Sequence, residues 1–86
     1  MPELCRFLGI VVRMFWDDHD PPPFHAYYSG EEALIDIQNL SVFAGRLSTR
    51  ALGLVIEWAT LHQRELLDDW RRARRQARLR KIEPLR

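Results

Sequence analysis

Two imidazoles, three carboxylates and three consecutive prolines fall within nine residues, Asp17-Asp18-His19-Asp20-Pro21-Pro22-Pro23-Phe24-His25. Imidazole is the side chain whose ordinary pKa lies nearest neutrality, so His19 and His25 beside fixed carboxylates have the makings of an acid–base pair. Acting on a ribose phosphate, such a pair makes a metal-independent ribonuclease, with Arg46 or Arg50, and also Arg13, to offset phosphate charge. The structural alternative, which the residues favour, is that His19 and the aspartates anchor the loop backbone while His25 sits half-buried on a sheet. A metal would require His19, His25 and Asp17 or Asp20 to converge on one ion. No H-x-x-x-H or C-x-x-C spacing supports that, and neither a metal nor a cofactor is expected. There is also no Gly-rich phosphate loop and no G-x-S-x-G nucleophile elbow.

The elements that must position these residues follow from periodicity. From Phe7 to Trp16 apolar side chains alternate, with Ile10, Val12, Met14 and Trp16 on one face and Val11, Arg13 and Phe15 on the other, which predicts a central, well-buried strand. The prolines cannot donate ladder hydrogen bonds and fix their own φ, so the loop from Asp17 to Pro23 is expected to be stiff and to leave His19 and His25 at one end of the sheet. Strands are predicted at 24–28, 32–37 and 42–47, joined by turns at Ser29-Gly30 and at 38–41. Together they make a four-stranded antiparallel meander spanning residues 6–47.

From Ser48 the period lengthens to 3.6, with Ser48 or Thr49 as N-cap. Leu52, Val55, Ile56, Ala59, Leu66, Leu67 and Trp70 share one side of a single long helix predicted over 48–77, packed across the sheet. Leu54, Trp58 and Leu61 lie on an adjacent side and are candidates for a partner-binding surface. Beyond them Arg71, Arg72, Arg74, Arg75, Arg78, Arg80 and Lys81 supply seven cations in eleven residues, candidates for nucleic-acid contact because guanidinium pairs bidentately with phosphate. Asp68 and Asp69 stand three and four residues ahead of the first arginines, the favourable order for pairs on a helix. The tail lacks interleaved aromatics, and Trp16, Trp58 and Trp70 are read as packing residues rather than base-stacking platforms. Residues 78–86 are expected to form an arm that returns to the body. His62 is expected to hydrogen-bond Glu65 at the edge of the apolar stripe.

Composition narrows the class. With 86 residues the chain makes one α+β domain with one core, hiding roughly 60–65% of the surface its unfolded form exposes. The 47% apolar and 29% charged content lies outside the disordered regime. Cys5 is the only cysteine, which excludes an internal disulfide and fits a reducing cytoplasm. No N-terminal basic segment precedes a long apolar run, and Phe7 to Val12 is too short to span a bilayer, so no membrane partner is expected. The net charge of +1 hides a division: three cations against seven acids leave residues 1–47 at −4, and ten against five leave residues 48–86 at +5.

Several strings, Arg6-Phe7-Leu8-Gly9-Ile10-Val11-Val12-Arg13-Met14, Asp18-His19-Asp20-Pro21-Pro22-Pro23-Phe24-His25-Ala26, Glu32-Ala33-Leu34-Ile35-Asp36-Ile37, Gly45-Arg46-Leu47, Trp58 and the stretch His62 to Trp70, resemble the small bacterial proteins grouped as domain-of-unknown-function family 4160. The resemblance runs from about Pro2 to Leu85. It implies a short, free-standing protein, often encoded beside another small protein in pairs of toxin–antitoxin or regulatory type. Family members usually carry a third histidine in the loop, where this chain has Pro23; His19 and His25 match.

The expected function is therefore that of one component of such a pair, cytoplasmic, binding a small protein partner or a second copy of itself, with RNA contact through the tail. Two alternatives remain from other classes: an endoribonuclease toxin using His19 and His25, and a non-catalytic regulator that binds RNA or DNA.

Overall fold

The computed structural model describes residues 3–18 and 20–85. It is an α+β fold in which five antiparallel strands run in chain order across one sheet, β1 (Glu3–Phe7), β2 (Ile10–Arg13), β3 (Pro23–Tyr28), β4 (Glu31–Asp36) and β5 (Ser41–Gly45), followed by helices α1 (Thr49–Leu61) and α2 (Gln63–Arg74). Among the described residues, no helix is long and apolar enough to cross a membrane.

The expected first strand is in fact a hairpin. Leu8 (φ 50°) and Gly9 (φ 82°) form a two-residue turn, and the same dihedrals recur at Ser29 and Gly30 between β3 and β4. Left-handed backbone at both central positions gives the hairpin turn whose twist matches that of its strands. Leucine seldom occupies such a position, so within the apolar run from Phe7 to Val12 Gly9 alone marks the reversal. The extra strand moves the centre of the sheet to β3, whose residues 23–26 are all buried. At its other end β4 turns into β5 through Asp36, whose carboxylate accepts from the backbone N–H of Gln38 (2.8 Å) and the Asn39 amide (2.9 Å).

Alternation sends Ile10, Val12, Phe24, Ala26, Ala33 and Ile35 to the core face, each fully buried. Ser48 caps α1 by accepting from the N–H of Ala51. Ala51, Val55, Trp58 and Ala59 of α1, and Leu66, Trp70 and Ala73 of α2, close the core. The predicted single helix breaks at His62 (φ −123°, ψ 23°). There the Gln63 amide leaves the helix face and donates to the carbonyls of Ile37 (2.7 Å) and Gln38 (3.1 Å), tying the break to the β4–β5 turn. The second helix ends at Arg74, short of 77. Gln76 adopts left-handed backbone (φ 56°) while Ala77 N–H reaches the Arg72 carbonyl and Gln76 N–H that of Ala73, the double bond of a Schellman stop.

After that stop the chain returns as an arm. The Arg80 N–H donates to the Asp69 carboxylate (2.9 Å), the Ile82 N–H to the Leu4 carbonyl of β1 (3.0 Å), and the Trp58 indole to the Glu83 carbonyl (2.8 Å). Trp58 is fully buried, its ring centroid 5.8 Å from that of Phe7 and 5.9 Å from that of Phe24. It therefore cannot lie on a partner surface with Leu54 and Leu61: the added strand brings Phe7 under the helix and gives the indole a second wall. Of those three, Leu61 is exposed and Leu54 is half-buried beside Leu8, Tyr28 and Arg50. Trp58→Ala is expected to lower unfolding free energy by about 3–5 kcal/mol, read from the urea midpoint, because it opens a cavity and removes the indole hydrogen bond to the arm.

Candidate functional site

The pleat that turns Phe24 and Ala26 into the core turns His25 and Tyr27 to the opposite face. Arg13 of β2 stands beside His25, and the Ser29-Gly30 turn sets Tyr27 opposite Glu32. The His25 ring is held from two sides: Nδ1 is 2.8 Å from Glu32 Oε2 and Nε2 is 3.0 Å from Asp18 Oδ2. Phe15 meets the imidazole edge-on at 4.6 Å between centroids, and Tyr27 lies nearly parallel to it at 6.3 Å. Although it faces away from the helices, His25 is only 8% exposed, because Phe15 and Asp18 fold over it.

The electrostatics continue outward from the ring. The Arg13 guanidinium sits 5.1 Å from the Tyr27 ring centroid, while its Nε is buried without a hydrogen-bond partner. Burial, helped by the negative charge of Glu32 and a hydrogen bond to it, pushes the Tyr27 phenol above its usual pKa, and Arg13 acts in the opposite direction. The group Asp18, His25, Glu32, Tyr27 and Arg13 is thus linked by short contacts across three strands and the loop. Among the described residues no three His, Cys, Asp or Glu side chains are arranged to hold a metal ion.

Of the predicted catalytic set, the structure places only His25 in this group. His19 lies outside the described residues. Arg46 follows β5 and pairs with Glu31 at 3.2 Å, and Arg50 is exposed in the first turn of α1, beside Leu8 and Leu54. No hydrogen bond or ion pair among the described residues joins either arginine to His25. Glu32 and Tyr27 were missing from the expected site. The signal that finds them is register: a two-residue turn at 29–30 pairs Tyr27 with Glu32, and alternation then sets both beside His25. His62 behaves as predicted, its Nδ1 2.6 Å from Glu65 Oε1.

The cationic tail is partly committed. Arg71 pairs with Asp68 (3.0 Å) and Arg72 with the fully buried Asp69 (2.8 Å), while Arg74 lies 5.6 Å from the Trp70 ring centroid. Arg75, Arg78, Arg80 and Lys81 are exposed and enter no ion pair among the described residues.

An open sheet face carrying a carboxylate-clamped histidine, backed by two helices and closed by a returning arm, defines a small α+β protein whose proline loop is bound to its central strand. The chain belongs to the family described as Domain of unknown function (DUF4160), whose model matches residues 9–71, well over half of its length. No curated protein and no solved structure matches it.

If Asp18 and His25 are coupled as the geometry requires, a double-mutant cycle with Asp18→Ala and His25→Ala, read by urea denaturation, should return an interaction energy of about 0.5–3 kcal/mol. Cys5 offers a pH test. Burial pushes its thiol up to about 12, whereas an unfolded thiol titrates near 8.5. The folded state therefore keeps the proton that the unfolded state gives up. Its contribution to stability is complete below about pH 8.5 and is lost as pH rises toward 12. Thiol labelling at pH 8.5 should be slow in native buffer and fast in urea.

Proposed function

We propose that this protein is the non-catalytic, partner-binding member of a bacterial toxin–antitoxin-like or regulatory pair. The observation that carries the reading is the double engagement of His25. A general base must offer a free nitrogen to substrate, and here Asp18 and Glu32 occupy both while Phe15 covers the ring. The histidine then serves to hold the proline loop against β3, and the loop becomes a shaped surface rather than a reacting one.

The outer edge of β5 is the surface best suited to a partner. Sheet edges offer unpaired backbone groups, and proteins usually blunt them with charge or cover them. The β1 edge is covered in part by the arm through the Ile82 to Leu4 hydrogen bond. In contrast β5, Ser41-Val42-Phe43-Ala44-Gly45, carries no charge, and Phe43 is 45% exposed at the point where the register of β4 and β5 shifts. An extended segment of a small protein, with an apolar residue to cover Phe43, fits this edge.

Co-expression with the product of the adjacent gene should yield a stable complex on size-exclusion chromatography. Phe43→Glu should weaken it by tenfold or more, while His19→Ala with His25→Ala leaves it in place provided circular dichroism shows a native fold. RNA cleavage or growth toxicity that disappears in the folded double-histidine variant would overturn this reading in favour of an endoribonuclease.

A further inference from the structure

The return of the arm brings Trp16, from the loop after β2, against the basic tail sixty residues further along the chain. The Trp16 indole N–H donates to the Ala77 carbonyl at 3.0 Å, which fixes the ring by one edge. The side chain is nonetheless 43% exposed, and among the described residues no aromatic or cationic group stacks on it. Beside it opens a crevice of about 320 Å³ lined by Glu3, Leu4, Trp16 and the tail residues 78–81.

The cations there are held in place rather than trailing in solvent. Asp69, fully buried, takes the Arg80 backbone N–H, and the next hydrogen bond along the chain joins Ile82 to Leu4. Leu79 packs against the core, which leaves the Arg78, Arg80 and Lys81 side chains exposed. Glu3 is the one carboxylate on the crevice wall, and both its oxygens are taken by Arg6 at 2.9 and 3.1 Å. The site therefore presents three cations beside a fixed, part-exposed indole, with Glu3 held by Arg6 and close enough to Lys81 for their charges to attract.

We infer that this crevice binds single-stranded nucleic acid, with a base stacked on Trp16 and the flanking phosphates on Arg78, Arg80 and Lys81. Base stacking on an aromatic plane beside a positively charged groove is the general recipe for single strands, and it tolerates any sequence. A duplex buries its base faces and cannot use the indole. An acidic peptide would engage the cations but gain nothing from a flat ring, and a membrane surface calls for a broader apolar face than one indole. The inference is independent of the proposed protein partner, because it uses neither β5 nor the proline-loop histidines.

The test is fluorescence anisotropy with labelled oligouridylate and oligothymidylate of about ten nucleotides, at about 50 mM salt, against a duplex of equal length. Both single strands should bind and the duplex should bind more weakly. The slope of log K against log salt should be about −2, as expected for three phosphate contacts on a single strand. Trp16→Ala should cost roughly fivefold to a hundredfold in affinity, and Arg78→Ala with Arg80→Ala and Lys81→Ala should flatten the salt slope. Trp58 and Trp70 are buried, so quenching of intrinsic fluorescence on saturation belongs to Trp16. Trp16→Phe should retain most of the binding and abolish the quench, which a merely structural tryptophan would not do. Absence of binding at low salt, equal affinity for the duplex, or a native-fold Trp16→Ala that binds like the wild type would each overturn the inference.

Discussion

The burial of a single indole holds the parts of this small protein together. Trp58 touches Phe7 of the first strand and Phe24 of the central one, has His62 at the helix break 5.5 Å away, and donates its N–H to the Glu83 carbonyl in the arm. A large aromatic residue hides more apolar area than any other single side chain of this core, and its polar edge needs a partner once it is out of water. The arm provides that partner. The hairpin, the helix pair and the C-terminal return therefore share one contact, and the position of each constrains the others.

With the helices on one face, the sheet is free to build chemistry on the other. There the register of β2, β3 and β4 sets Arg13, His25, Tyr27 and Glu32 side by side, and Asp18 closes the group from the loop. A stiff loop next to a flat sheet would have many orientations; two carboxylate contacts to one imidazole select one. The buried carboxylate of Asp69 does comparable work for the tail, taking one hydrogen bond from Arg72 and one from the backbone of Arg80. Both devices use an acid to fix a segment outside the regular strands and helices, adding to the apolar contacts that residues such as Ile82 and Leu79 make.

Much of the fold was legible because it rests on local periodicity. Strands β3, β4 and β5 lie within a residue or two of where alternation and the Ser29-Gly30 turn put them, and Ser48 caps the helix as its hydroxyl allows. The hairpin at Leu8-Gly9 was read as continuous strand, because its one turn residue, Gly9, follows a leucine in left-handed backbone inside an apolar run. Nor was the helix break: no proline or glycine stands at His62, and what ends the first helix is a long-range bond from Gln63 to the β4–β5 turn. The candidate site divides in the same way. His25 and the aspartates stood out by type, whereas Glu32 and Tyr27 join them through cross-strand register.

By itself, then, the order of residues determined which segments alternate, which are helical and where titratable groups concentrate, since those follow from side-chain type and spacing along a short stretch of backbone. Tertiary structure decided which groups meet. It spent both nitrogens of His25 on carboxylates, took Trp58 out of reach of any partner, left β5 as the uncovered and uncharged edge, and carried Trp16 to the arginines of the tail. Each of these contacts except the one between Asp18 and His25, or between His25 and Glu32, joins residues far apart in sequence, and only the packing of the whole chain specifies such distances.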